Sequence, residues 1–198
     1  MEKSSPIYVL NVQSLPLEDI SILLEQEKER FSRFRKEEDK ALFLGGRLLI
    51  HHFVGKGPIL LQENGKPFLK EESSFSLTHS FPYVALVQGA CPIGIDLEAI
   101  ERLKTTPVSR YFPEEDRKEF EDVGLLWCLK EAAYKCDGTG YFNPKERVIR
   151  TGENSFLYRN KRLFFKQFVL NGFLIVVVSE APNNYEIQLL DPKELLKH

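Results

Sequence analysis

Between Pro92 and Glu98 the chain reads Pro-Ile-Gly-Ile-Asp-Leu-Glu, with Ile93, Ile95 and Leu97 alternating against Gly94, Asp96 and Glu98. Successive side chains of a strand point to opposite faces. The pattern therefore predicts a strand that turns its aliphatic side chains into a core and sets two carboxylates side by side on the other face. The 198 residues, 42% apolar and 28% charged, have ordinary globular composition and suffice for a sizeable core. A net charge of −2 argues against a dedicated nucleic-acid binder. No run approaches the ~18 apolar residues of a membrane helix, and the longest, Phe173 to Val178, is strand-sized. The N-terminal residues lack an apolar secretory segment, and Cys91, Cys128 and Cys136 form no Cys-x-x-Cys pair. A cytoplasmic protein without membrane or nucleic-acid partners is expected.

Apolar residues at near-helical spacing predict a helix from Pro16 to about Arg35, and a second from about Glu38 to Phe53 that stops at Gly55. Adjacent His51 and His52 point about 100° apart on a helix and make a poor metal pair. From Ile59 onward short strands are expected: Ile59–Gln62 and Pro67–Leu69 around a turn at Asn64-Gly65, then Phe75–Ser80, Tyr83–Gln88 and Pro92–Glu98. Residues 99–113 read as a connection without a clear period. A helical stretch opens at Pro113, and Leu125–Cys136 is a strong helix. Turn signals at Asn160-Lys161 and Asn171-Gly172 separate apolar runs into antiparallel hairpins, and Tyr185–Leu190 adds an edge strand. Each half thus runs from helix to antiparallel strands. The expected fold class is α+β, a pseudo-duplicate of two similar halves, residues 1–100 and 101–198. Helices pack on a sheet in each half, and a ligand cleft lies between them.

Three patches bear chemistry: Gly94–Glu98, the helical Trp127–Lys135, and Gly65-Lys66-Pro67 followed by Leu77-Thr78-His79-Ser80. Trp127, Glu131 and Lys135 stand at i, i+4 and i+8, one ridge of a helix. Glu131 and Lys135 alone would be an ordinary surface ion pair. Beside Asp96 and Glu98, however, Glu131 becomes a third carboxylate for a hard cation such as magnesium, which favours carboxylate oxygens and leaves room for phosphates.

Gly-Ile-Asp-Leu-Glu followed by Trp-Cys-Leu-Lys-Glu-Ala-Ala-Tyr-Lys resembles the paired signature of 4′-phosphopantetheinyl transferases. The upstream Gly-Lys-Pro and Phe-Ser-Leu-Thr-His-Ser are similar to further motifs of the larger, monomeric branch, the type that activates surfactin synthetase. The resemblance implies an enzyme that moves the phosphopantetheine arm of coenzyme A onto a serine of an acyl or peptidyl carrier protein, releasing 3′,5′-ADP. It implies magnesium ligands at Asp96, Glu98 and Glu131, with Glu131 also the base, or the holder of a water that acts as base. It places Lys135 at the phosphates, and Lys66, Thr78 and His79 in contact with the phosphates of coenzyme A. It further implies a monomer, two similar α+β halves, and coenzyme A in the cleft.

The pattern departs from the family in two places. The arginine that relatives use for the 3′-phosphate aligns with Leu42, which leaves Lys40 or, preferably, Arg47 for that role. Asp96 and Glu131 stand only 35 residues apart, short for this branch. Carrier proteins are usually acidic around their serine, so Arg102, Lys104, Arg110 and Tyr111-Phe112 are candidate docking residues. Two rival readings use the same residues: a magnesium-dependent nucleotide pyrophosphate hydrolase, and an inactive module that binds coenzyme A or a carrier.

Overall fold

The structure, a computed structural model, describes residues 4–62, 65–70 and 74–196. In chain order the elements are β1 (Ser5–Asn11), α1 (Glu25–Ser32), α2 (Glu37–Leu49), β2 (Leu60–Leu61), β3 (Pro67–Phe68), β4 (Ser74–Ser80), β5 (Tyr83–Gly89) and β6 (Ile93–Ala99). They continue with α3 (Ile100–Thr105), α4 (Glu114–Glu119), α5 (Val123–Asp137), β7 (Val148–Gly152), β8 (Ser155–Tyr158), β9 (Lys161–Leu170), β10 (Phe173–Ser179), β11 (Tyr185–Leu190) and α6 (Pro192–Leu195). A four-stranded sheet has the order β11-β1-β5-β4, a five-stranded sheet β6-β10-β9-β8-β7, and β2-β3 form a small ribbon. All neighbours are antiparallel except β1 and β11.

Side-chain alternation decides how these sheets stack. Ile7, Val9, Ala85 and Val87 of one sheet meet Ile93, Ile95, Leu97, Ile175 and Val177 of the other in a single buried cluster. On the opposite face of the four-stranded sheet, Leu10, Val84 and Leu86 pack with Leu44 and Leu48 of α2. On the opposite face of the five-stranded sheet, Leu174, Val176 and Val178 pack with Leu126, Leu129 and Ala133 of α5. The result is helix, sheet, sheet, helix: an α+β fold with helices covering largely antiparallel sheets, as expected.

Gly94 is the point of closest approach between β6 and α5. A Cβ built there would collide with the Ala132 carbonyl and come within 2.6 Å of the Cys136 backbone nitrogen. Any larger residue holds the helix off the strand. The adjoining hairpins use paired left-handed residues, Arg159 and Asn160 (φ 49° and 63°) and Asn171 and Gly172 (φ 48° and 81°), the geometry that matches strand twist. The first turn therefore lies one residue earlier than Asn160-Lys161. Phe81-Pro82, between β4 and β5, is a cis peptide.

Several expectations need correction. The helix predicted over Pro16–Arg35 is confined to Glu25–Ser32. Asp19 accepts hydrogen bonds from the Ser21 amide and hydroxyl, so local side-chain capture competes with helix there. Leu17 and Ile20, whose spacing suggested the helix, still pack against the core, so that spacing reflected burial rather than a continuous helix. The second helix becomes a π-type turn over Ile50–Val54, closed by the Gly55 amide on the Ile50 carbonyl. The connection 99–113 contains α3 and a 3₁₀ turn at Val108–Tyr111. Strands β1 and β7 escape the sequence pattern. The edge strand β11 joins β1 of the other half, and β6 belongs to the sheet of the second half. The sheets thus divide the chain between β5 and β6, and β11 crosses back. Asn64 of the expected turn lies outside the described residues.

Replacing Gly94 by alanine is expected to lower unfolding stability by about 1–3 kcal/mol, through overpacking against backbone that cannot rotate away. Urea unfolding of the two proteins measures it, and equal midpoints would contradict the packing.

Candidate active site

The outward face of β6 carries Gly94, Asp96 and Glu98, and α5 lies across it. The helix starts at Asp122, whose carboxylate accepts from the Gly124 and Leu125 amides, and stops at Gly138 in the left-handed conformation (φ 73°). Cys128, Ala132 and Cys136 share the face turned to the strand, and the successive 100° rotations of a helix set Glu131 and Lys135 on its margin.

Lys135 Nζ reaches Asp96 Oδ1 at 2.8 Å, the Ile95 carbonyl at 3.0 Å and Thr78 Oγ1 at 3.4 Å. Burial works against its charge, but Asp96, and behind it Glu131, hold its pKa above the ordinary lysine value. Glu98 is gripped by Arg102 Nη1 at 2.9 Å, one turn into α3. Burial and the neighbouring Asp96 charge push the Glu98 carboxyl up, against the pull of Arg102 and Lys135. Glu131 is pushed up to about 7, by burial first and then by Asp96; Lys135 pulls the other way and Glu98 adds to the rise. Glu131 feels both Asp96 and Glu98, and Glu98 feels Asp96, so the three carboxyl groups share one neighbourhood. The adjacent Cys128 thiol is pushed well up as well, by burial and by the charges of Asp96 and Glu98, and is no thiolate nucleophile.

Strand β4 supplies the other wall. Its residues alternate, so Ser76, Thr78 and Ser80 face β6 while Phe75, Leu77 and His79 face α2. Ser76 Oγ accepts from the Ile95 amide at 3.1 Å, Thr78 Oγ1 donates to Asp96 Oδ1 at 3.3 Å, and Ser80 hydrogen-bonds Glu98. This row of hydroxyls sutures the two sheets where their backbones do not pair, and it orients both acids. Sequence reasoning expected Thr78 and His79 together at phosphates. Strand geometry instead sends Thr78 to the carboxylates and His79 to the far side.

His79 lines a recess of about 300 Å³ with Arg30, Leu42, Gly46, Arg47, Gly65 and Pro67 among its walls. Enclosure there and the nearby Lys135 charge depress its pKa. Lys66 bridges from β3 to the second sheet by donating to the Ile93 carbonyl at 2.9 Å. Burial lowers its pKa, with the Cys136 thiol as a minor opposing influence.

Arg47 reaches the recess with its charge already committed. Its Nε stands 2.8 Å from Glu27 Oε1, its side chain is only 11% exposed, and it lies over the Phe43 ring at 4.6 Å. His51 Nε2 holds the other Glu27 oxygen at 2.9 Å. Arg30, exposed and over the same ring at 5.5 Å, is the more open cation at that mouth. It was hidden in the sequence within a run of mixed charges that reads as a solvated helix face. The structure therefore brings Asp96, Glu98, Glu131, Lys135 and Thr78 together, and sets His79 and Arg47 in the neighbouring recess.

The donor set suits a hard cation in chemistry. All three acids are carboxylates, and Asp96 Oδ2 is buried without a well-formed hydrogen bond. Among the described residues, no three His, Cys, Asp or Glu side chains already converge tightly enough to chelate an ion. Lys135 occupies Asp96 Oδ1, and Arg102 occupies Glu98.

Glu131 also carries a stability signature. Its carboxyl titrates near 7 in the folded chain, against about 4.5 when unfolded. The folded state thus binds the proton more tightly, and its stability falls as pH rises from about 4.5 through 7. In chelator-treated protein, Glu131→Gln should be more stable than wild type by about 1–3 kcal/mol at pH 8, with the difference fading toward pH 5. Thermal or urea unfolding across pH checks this; a constant difference would contradict it.

A sequence model of the 4′-phosphopantetheinyl transferase superfamily matches residues 92–185, from the start of the β6 segment to the start of β11. The chain is 26% identical to 4′-phosphopantetheinyl transferase Sfp of Bacillus subtilis, over 89% of this chain and 91% of that protein. It is 27% identical to psf-1 of Bacillus pumilus, over 68% and 69%, and 26% identical to gsp of Aneurinibacillus migulanus, over 61% and 58%. Both are also 4′-phosphopantetheinyl transferases, and the chain spans somewhat over half the length of gsp. No helix among the described residues is long and apolar enough to cross a membrane. These similarities, to a sequence model and to several curated relatives alike, support a 4′-phosphopantetheinyl transferase of the Sfp type.

Proposed function

We propose that this enzyme transfers the 4′-phosphopantetheine arm of coenzyme A to a serine of an acyl or peptidyl carrier protein, in a magnesium-dependent reaction that releases 3′,5′-ADP. The observation that carries the reading is the meeting of Asp96, Glu98 and Glu131 beside Lys135 at the α5–β6 contact. In this reaction the serine Oγ attacks the phosphorus that bears the pantetheine arm. The P–O bond to the adenosine-side phosphate breaks, 3′,5′-ADP leaves, and the serine proton passes to a base. Glu131 suits that base, because a carboxylate titrating near 7 combines availability with proton affinity at neutral pH. A serine hydroxyl needs such help, being a weak nucleophile at its own pKa.

Asp96, Glu98 and Glu131 would hold magnesium, and Asp96 Oδ2 is a buried oxygen without a well-formed hydrogen bond. An ion held by these residues would supply positive charge to offset the charge that grows on the leaving phosphate. Lys135, with its charge secured by Asp96, stands ready as a point-charge partner for a phosphate oxygen. Lys66, which donates to the Ile93 carbonyl, is a further point charge for a phosphate oxygen of coenzyme A. The recess holding His79, Arg47 and Arg30 suits the nucleotide end of coenzyme A, with Arg47 fixed by Glu27 and Arg30 facing outward.

For the carrier, a recess of about 670 Å³ beside Glu98 exposes Ile100, Leu103, Phe168 and Val169 among its lining, with Lys104 on its wall. Tyr111 is 41% exposed and Arg110 stacks on it at 4.9 Å, whereas Phe112 is buried against Trp127 and belongs to the core. Of the docking candidates, Lys104, Arg110 and Tyr111 are therefore the accessible ones. We take the enzyme to act as a monomer in the cytoplasm.

The test incubates apo carrier proteins from several pathways with coenzyme A and magnesium, and weighs the carrier by mass spectrometry. Wild type should add one phosphopantetheine arm. Chelator, Asp96→Ala or Glu131→Ala should reduce the rate at least about 100-fold while the protein stays folded. Coenzyme A cleaved into water without carrier modification would favour the hydrolase instead, and no turnover with any carrier would favour an inactive binding module.

A further inference from the structure

The helix signature contains a second lysine that the proposed reaction does not use. Lys130 is fully buried, with 1% of its surface exposed. Its ammonium has three protons and finds three acceptors: Asp116 Oδ2 at 2.6 Å, the Pro144 carbonyl at 2.8 Å and the Glu146 carbonyl at 2.5 Å. The Phe112 ring lies at 5.3 Å. Asp116, from α4, is wholly buried and gives its other oxygen to Arg147 Nε at 2.6 Å. A buried ammonium survives only when paired and fully hydrogen-bonded. Here the pairing has a direction. It ties α4 and the segment between α5 and β7 to one point of α5.

That segment holds the ring of Phe142 against Trp127 at 5.6 Å and Tyr134 at 5.9 Å. Trp127 and Tyr134 flank Glu131 one turn to either side along the helix. Tyr141, next to Phe142, is 88% exposed. An aromatic wall therefore stands beside Glu131, its base anchored by Lys130 and its outer end open to a partner. Lys135, the other lysine of the signature, faces the phosphate side.

We infer that Lys130 is a positioning residue: through Asp116 and the Pro144 and Glu146 carbonyls it fixes the 138–147 segment, so that Phe142 and Tyr141 wall the side of Glu131 from which the acceptor serine approaches. The assignment of that side rests on the proposed transferase reading. The anchoring itself does not.

The experiment compares wild type with Lys130→Arg, Lys130→Met and the double variant Lys130→Met/Asp116→Leu, which removes both buried charges together and preserves the fold if Lys130→Met alone does not. Hydrogen exchange of residues 139–147 is read together with transfer kinetics, normalised to folded protein. Expected are faster exchange in 139–147 with β6 and β10 unchanged, a KM for the carrier raised at least tenfold, and a KM for coenzyme A within twofold of wild type. Lys130→Arg, which keeps the charge, should recover part of the carrier KM. Unchanged exchange in 139–147 would overturn the anchor. Loosened exchange with an unchanged carrier KM and kcat per folded molecule would overturn the positioning role and leave Lys130 a stabilising residue. If wild type itself modifies no carrier, the transferase reading fails instead, and the exchange measurement still decides the anchor.

Discussion

The contact between α5 and β6 is the constraint on which the rest depends. It exists because Gly94 lacks a side chain, which lets the backbone of Ala132 and Cys136 settle directly on the strand. Only at that distance does Lys135 reach Asp96 and the Ile95 carbonyl at once. The buried aliphatic faces fix the spacing of the layers, and the ion pair fixes the register of helix on strand. Neither would suffice alone. An apolar interface is non-directional, and a half-buried ion pair owes its alignment to the packing around it.

The acid cluster stands where three sources of order converge. The β6 alternation brings two carboxylates to one face, the hydroxyls of β4 orient them, and α5 adds a third with a lysine beside it. Folding gathers negative charge into a partly desolvated place, which raises Glu98 and Glu131 and leaves Asp96 Oδ2 without a well-formed partner. Such an arrangement opposes stability unless a ligand answers it. The phosphoryl transfer proposed above would supply a reason for keeping it. The same helix spends its other lysine differently: Lys130 is sealed among acceptors that satisfy it, while Lys135 keeps about a quarter of its side chain exposed.

Much of this was legible because it depended on local periodicity. The strand with Asp96 and Glu98 on one face follows from strict alternation, and α5 from an uninterrupted run ending at Gly138. The paired signature then named the family. Long-range partnership was less visible. Val148–Gly152 is mostly exposed and shows no strand pattern, and β1 gave no alternation that distinguished it from a tail. The helix expected from Pro16 failed because burial of Leu17 and Ile20 mimicked helical spacing in a segment held by Asp19 turns.

Arg47 and Thr78 mark the boundary between the two kinds of knowledge. The sequence alone determined that a strand would pair two acids and that a helix would align Glu131 with Lys135, because each of these follows from the period of one element. Tertiary structure decided where each charge is spent. Glu27, twenty residues upstream, takes Arg47, β4 hands Thr78 to Asp96, and the chain's last strand returns to lie parallel beside its first. No local pattern encodes those choices, since each depends on which segments burial brings within hydrogen-bonding distance.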